Sequence, residues 1–374
     1  IPRYAHPMIT LLALLPLVAG PSIPRLDLDA DTARQVLVDQ EPGTYLGHVS
    51  SILLDDRATI LIAYPKGHGS GPIILKRSTD AGKTWSDRLP TPDSFATSKE
   101  TPTLFNLGQG NLILFSGLFP IRAARSNDHG RTWSQLEPIG PFGGIVAMGG
   151  LAELPQRKLA AFFHDDGRFF TQAGKASGTF TLFQTDSADR GLTWSAPRAI
   201  WSGSDIHLCE PGVLKSPDGK RIALLLRENR RTKPSHVMIT DDHAVTWSVP
   251  KPLPIDLTGD RHTAVYAPDG RVVITYRCMI ENDPWKGDWV AWIGDWNTIA
   301  AAADGQQAPP TASVLVRLKD NQSPWDCGYP GLERMPDGTF VATTYGHWTK
   351  GQQPWILSVR FTLDEIDRLV KAAK

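Results

Sequence analysis

Cysteine is nearly missing from this chain: three in 374 residues, Cys209, Cys278 and Cys327. So sparse and odd a set excludes a disulfide-built scaffold, and no pair stands at metal-ligand spacing. One disulfide plus a free thiol, or three buried thiols, both stay open. An excess of charge of one sign is also lacking. Thirty-nine basic side chains balance 39 acidic ones, so the basic stripe of a nucleic-acid-binding protein is missing. The apolar run Leu11 to Gly20 is too short to span a bilayer. It reads as the core of a secretory signal closing on Ala19-Gly20. Residues 1–22 are therefore set apart as a signal-like segment, residues 23–374 are read as one domain, and the expected location is secreted or periplasmic. Gly-x-Ser-x-Gly, a Walker loop, His-Glu-x-x-His and a dinucleotide fingerprint are all absent. No cofactor or metal site is evident, and a divalent cation in a central channel is left open.

What the chain has in quantity is turn residues and tryptophan: 33 Gly, 30 Pro and 12 Trp. Four of the Trp close copies of one phrase: Ser78-Thr79-Asp80-Ala81-Gly82-Lys83-Thr84-Trp85, Ser126 to Trp133, Ser187 to Trp194 and Thr240 to Trp247. From Asp80 to Asp128 is 48 residues, to Asp189 a further 61 and to Asp242 a further 53. The phrase is a turn: Asp and Ser/Thr side chains bond nearby amides, Gly permits positive φ, and Trp packs the turn onto a sheet. The last copy carries Ala244 where Gly is expected. A strand-flanked repeat of this length means propeller blades.

Each repeat runs strand, polar turn, strand, loop, strand, phrase. The first-to-second strand hairpins fall in Val49–Tyr64, Thr103–Phe115, Leu151–Phe163, Val213–Leu226, Ala264–Tyr276 and Leu332–Thr344. Three turn through Pro-Asp-Gly, at residues 217–219, 268–270 and 336–338. The expected fold is all-β: a propeller of six four-stranded antiparallel blades. Ala33–Asp39 is expected to complete the last blade, a helical tail to cover Leu363–Lys374, and Asp283–Asn321 leaves room for a seventh blade.

Strands of a meander alternate direction, so topology assigns each loop to one face. First-strand starts and the loops after second strands share a mouth, with the repeated turns on the opposite face. His48, Glu100, Glu210, Arg261, His262 and Tyr329 stand at first-strand starts. His68, His164, Asp165, Asp166, Arg227, Glu228, Arg277, Tyr345 and His347 follow second strands. Five of the ten His fall in this set. Arg227 and Arg277 suit a carboxylate, His48 and His68 suit proton transfer, and Tyr329 and Tyr345 suit ring stacking or acid catalysis. Plainer roles compete: Arg227 with Glu228, Glu210 with a neighbouring Arg, His347 with backbone. The expected ligand is an oligo- or polysaccharide containing an acidic sugar.

The four phrases resemble the Asp-box of the sialidase superfamily. The stretches Tyr45-Leu46-Gly47-His48, Tyr64 to Gly69, Glu210-Pro211-Gly212, Leu225 to Asn229, Thr258 to His262, Gly287 to Val290 and Tyr329-Pro330-Gly331 with Thr344 to His347 resemble one branch of the sialidase-like propellers. Enzymes of that branch remove terminal L-rhamnose α-1,4-linked to glucuronic acid, some by hydrolysis, others by β-elimination. The resemblance spans about residues 40–348 and implies catalysis by His48 and His68. The mouth residues Glu100, Glu210, Arg227, Arg261, His262, Arg277, Tyr329, Tyr345 and His347, grouped by topology, are the expected substrate-binding set. The resemblance also implies seven blades, against the six counted. Sialidases themselves are similar but fit less well. They carry Arg-Ile-Pro before the first box, three arginines and a Tyr/Glu nucleophile pair. Here Ile23-Pro24-Arg25 has the wrong order, Pro120-Ile121-Arg122 the wrong place, and His48 stands where the leading Arg belongs. An exo-α-sialidase and a non-catalytic glycan-binding propeller are the alternatives.

Overall fold

The computed structural model describes residues 23–172, 174–306, 313–323 and 325–373; the signal-like run lies outside them. Six sheets form six propeller blades. Their innermost strands are Ser50–Leu53, Pro102–Gly108, Ile145–Glu153, Leu208–Lys215, Gly259–Tyr266 and Cys327–Arg334. Each packs against the next around the ring, and the last returns to the first. Four blades have four antiparallel strands. Blade one shows three, and blade five gains a fifth, Arg25–Asp27, which pairs in parallel with Val314–Lys319. The seventh blade does not form: residues 283–321 instead supply Trp289–Gly294, the helix Trp296–Ala303 and Val314–Lys319 to blade five.

The ring is closed by a strand that precedes blade one in the sequence. Gln35–Asp39 pairs antiparallel with Trp355–Phe361 as the outer strand of blade six. Arg34 then forks onto Glu365 of the C-terminal helix Leu363–Ala372, at 3.2 and 2.6 Å. Apolar side chains of adjacent blades interleave; Phe340, Val359 and Trp289, for example, share one cluster across blades five and six.

The boxes fasten neighbouring blades. Within each, the Asp carboxylate accepts the Thr backbone N–H and hydroxyl, as Asp80 does from Thr84 at 2.9 and 2.6 Å. A Cβ on Gly82 would come 2.7 Å from Val341 of blade six, and one on Gly130 2.8 Å from Leu61 of blade one. That close approach, at φ of 74° and 73°, is why Gly stands there. Ala244 adopts φ 66° all the same. Its N–H bond to Thr240 Oγ1 stretches to 3.2 Å, against 2.7–2.9 Å in the other three boxes.

The inner strands begin earlier than the hydrophobic alternation suggests. Strand four starts at Leu208, not Val213, because it runs through a bulge: its register skips between Cys209 and Gly212. The same skip recurs in blades five and six, and blade three has a longer one, between Ile145 and Gly150. A bulge re-aims one side chain. The re-aimed residues have positive φ: Val146 (48°), Glu210 (51°), Arg261 (56°) and Tyr329 (54°), matched in blade one by His48 (58°). All three cysteines are buried free thiols. No helix among the described residues is long and apolar enough to cross a membrane.

Candidate active site

The bulges deliver Glu210, Arg261 and Tyr329 to one end of the ring, and His48 reaches it from the segment just before the first strand of blade one. His48 is 5 % exposed. Its ring stacks on Tyr345 (centroids 4.8 Å, planes 24° apart), lies 4.4 Å from Tyr329 and meets His68 edge-on at 4.9 Å. The Gly69 N–H donates to its Nδ1 at 3.0 Å. Burial pushes its pKa well below the ordinary 6.5, and His68, Arg277, Arg261 and Arg227 push the same way. His48 is therefore a neutral imidazole at neutral pH. His68 is largely exposed, with Nε2 3.8 Å from Asp326 Oδ1. Asp326 also binds the Tyr45 hydroxyl and His347 Nε2, both at 2.6 Å, and His347 Nδ1 contacts the Gln352 carbonyl at 3.0 Å. One carboxylate thus gathers three mouth side chains.

Across the channel lies an Arg–carboxylate cluster. Glu210 Oε1 accepts from the Tyr329 hydroxyl and from Arg227 Nη1, each at 2.6 Å. Asp260, 1 % exposed, is the hub. It accepts Arg277 Nε at 2.8 Å, Arg231 Nη2 at 2.8 Å, and lies 3.2 Å from Arg227 Nε. Burial opposes ionisation of Asp260, yet the guanidiniums of Arg227, Arg277 and Arg231 hold its pKa below the usual carboxylate range. Glu210 is likewise lowered despite its burial, chiefly by Arg227. Arg277 gives its remaining bonds to the carbonyls of Trp325 and Cys327.

Arg261 differs from its neighbours. Its Nη1 donates to the Gly149 carbonyl at 2.7 Å, its guanidinium lies 5.8 Å from the Tyr329 ring, and burial lowers its pKa. Among the described residues it has no carboxylate within ion-pair distance. It lines a cavity of about 340 Å³ within the channel, with Gly149, Gly212 and Glu333. His48, His68 and Tyr345 do not line that cavity.

The remaining sequence candidates are less central. Glu100 has both oxygens committed to backbone, accepting Thr101 N–H at 3.0 Å and Val146 N–H at 3.1 Å; burial pushes its pKa up to about 7. His262 points into the wall between blades, its Nε2 2.8 Å from the Leu257 carbonyl and its ring against Tyr276. Arg227 pairs with Glu210 rather than with Glu228, which accepts the His207, Arg230 and Thr232 N–H groups. His164 Nδ1 accepts the Glu210 N–H at 3.4 Å. Asp260, Asp326 and Tyr45 were not singled out from the sequence. Asp260 and Tyr45 lay inside the motif stretches around Arg261 and His48, which was the signal available. No group of three or more His, Cys, Asp or Glu side chains among the described residues is placed to share a metal ion.

Comparison with known proteins agrees with this architecture. No curated protein matches the sequence. Among solved structures, a protein of unknown function from Dyadobacter fermentans superposes with a TM-score of 0.68 at 16% identity, over 87% of this chain and 97% of that one. An α-L-arabinanase from Penicillium chrysogenum, complexed with arabinobiose, gives 0.62 at 15% identity, over 89% and 98%. The intramolecular trans-sialidase of Ruminococcus gnavus, in complex with oseltamivir carboxylate, gives 0.58 at 14% identity, over 86% and 95%. At such identities the likeness is one of fold. The description of the BNR repeat-like domain matches residues 119–342, more than half of the chain, and the protein belongs to that family.

Proposed function

We propose that this protein is an exo-acting, glycan-cleaving enzyme that removes terminal L-rhamnose α-1,4-linked to glucuronic acid. The observation that carries the reading is the charge of the mouth. Among the described residues, Arg227, Arg231, Arg261 and Arg277 meet two carboxylates held below the usual range, Asp260 and Glu210. Buried charge without a partner is costly, so an anionic ligand completes the cluster. A glucuronate carboxylate beside Arg261 is such an anion, and the Tyr329 ring, 5.8 Å from the Arg261 guanidinium and 4.4 Å from the His48 ring, connects that position to the His48–His68 pair.

Elimination suits these side chains. His68 takes the proton from C5 of glucuronate. A cation on the carboxylate makes that proton acidic enough to leave. The C4–O4 bond breaks, C4=C5 forms, and the departing oxygen takes the Nε2 proton of His48; the imidazolate so formed, near Arg277 and Arg261, recovers a proton from the His68 imidazolium 4.9 Å away. No water is consumed, and free rhamnose leaves with its own oxygen. Two-carboxylate hydrolysis is supported less, because Glu100 is spent on backbone amides and Glu210 on Arg227 and Tyr329.

A second reading has one observation in its favour. The Tyr329 hydroxyl bonded to Glu210 is the arrangement of a sialidase nucleophile pair. Incubating the protein separately with a rhamnosyl-glucuronide and a sialoside distinguishes the two. The proposed activity releases rhamnose and leaves an ultraviolet-absorbing unsaturated uronate; a sialidase releases sialic acid from the second substrate only.

A further inference from the structure

Of the twelve tryptophans, Trp325 is the one that is exposed; its side chain and backbone keep 49% of their surface open to solvent. An indole left in water at the edge of a site forfeits burial energy, and large exposed apolar groups mark binding surfaces. Its backbone and two contacts set where Trp325 stands. Its backbone has φ 74°, unusual for a bulky residue. The carbonyl is held by Arg277 Nη1, from the arginine anchored on Asp260. Lys286 Nζ braces the ring at 4.7 Å from its centroid and is itself fixed by Glu281 at 2.6 Å. The next residue, Asp326, gathers Tyr45, His68 and His347. Trp325 thus stands one residue from the proposed catalytic cluster, yet it takes no part in it.

We propose that Trp325, braced by Lys286, is a second sugar-binding subsite on the rim of the mouth. It stacks a pyranose ring on the reducing side of the cleaved linkage. An exo-acting enzyme buries the terminal sugar, so the rest of the glycan must leave across the rim. A flat indole with a cation beside it suits the next sugars of an acidic oligosaccharide. This subsite rests on the function proposed above for its position relative to the cleaved bond, but binding at Trp325 is measurable without turnover.

The test compares wild type, Trp325→Ala and Trp325→Phe on two probes: the methyl glycoside of rhamnosyl-glucuronate, and a longer arabinogalactan oligosaccharide ending in the same disaccharide. Trp325→Ala should raise KM for the longer probe ~10-fold, the loss of one modest contact, and leave KM for the methyl glycoside unchanged. Trp325→Phe should recover most of the loss, with Tm unchanged in both. Equal KM values for wild type and Trp325→Ala on the longer probe would overturn the subsite. Calorimetric titration with the same oligosaccharide separates the two claims. If wild type cleaves neither probe but binds the longer one, and Trp325→Ala does not, the subsite stands and the proposed reaction falls. If wild type does not bind it, the subsite falls as well.

Discussion

The Gly69 backbone N–H donates to His48 Nδ1 at 3.0 Å, and this bond decides what His48 can do. Nδ1 must present a lone pair to the amide, so the neutral ring carries its hydrogen on Nε2. Burial and three nearby guanidiniums keep the ring neutral. In the proposed elimination His48 is the donor, and His68, open to the mouth, is the acceptor.

His48→Asn and His68→Ala should each lower kcat by ~10² or more, the usual cost of a general acid or base. Asn tolerates the positive φ at position 48 better than most residues, so the melting temperature should move by only a few degrees. Rates and thermal melts check this. Full activity in both variants would remove the histidine pair from the reaction.

Arg261 and Arg277 should behave differently. Arg277 is built into the Asp260 hub, whereas Arg261 lacks a carboxylate partner. Arg261→Met should cut kcat/KM on the uronate at least ~10-fold, the scale of one charged contact, while leaving stability equal or higher. On a substrate whose carboxylate has been reduced to an alcohol, wild type should lose most of its rate and Arg261→Met little more. Arg277→Met should instead lower stability first. A wild type that treats both substrates alike would sink the acidic-sugar reading.

Asp260→Asn leaves three arginines without their shared counter-charge. Removing one partner of a buried ion pair costs about 3–5 kcal/mol, so a large fall in melting temperature is expected, together with loss of activity. A variant that melts like wild type would mean the cluster is held by something other than Asp260.

Glu333 supplies a pH dependence. Its carboxyl accepts the Ser51 hydroxyl at 2.7 Å and the Leu53 N–H at 2.9 Å, and burial pushes its pKa from 4.5 up to about 7. The folded carboxyl therefore holds its proton more tightly than the unfolded one. Its contribution to stability is full below pH 4.5, falls as pH rises to about 7, and is flat above. The group is half-buried on a channel cavity, which reduces the effect to about 1–2 kcal/mol. Glu333→Gln, uncharged, can accept the Leu53 N–H through its oxygen and donate its NH2 to Ser51 Oγ. It should be the more stable protein at pH 8, and the gap should close towards pH 5. Denaturant melts at the two pH values read it directly; a gap that widens towards pH 5 would reverse the assignment.

The parts legible in the sequence were those whose structure is local. A box is a set of bonds within seven residues, Ser78 to Thr84 in the first copy, and Pro-Asp-Gly turns are equally self-contained. Six blades and the closing strand near Gln35–Asp39 followed from that grammar. The inner strand ends were not legible, because a bulge breaks alternation and puts Pro211 or Pro330 where the sequence pattern reads as the start of a loop. Asp260 escaped notice for another reason. Its role depends on Arg227, Arg231 and Arg277 arriving from second strands and a loop of two blades, and nothing in its immediate neighbours encodes that convergence. Residues 283–321 read as irregular because a helix interrupts two strands of one blade.

The most direct test is the product of a single incubation. Given a glycan ending in L-rhamnose α-1,4-linked to glucuronic acid, wild type should release free rhamnose with a matching rise in ultraviolet absorbance from a 4,5-unsaturated uronate, and His48→Asn should release almost none. Release of rhamnose without the absorbance would replace elimination by hydrolysis. No rhamnose from this glycan, with sialic acid freed from a sialoside, would contradict the account.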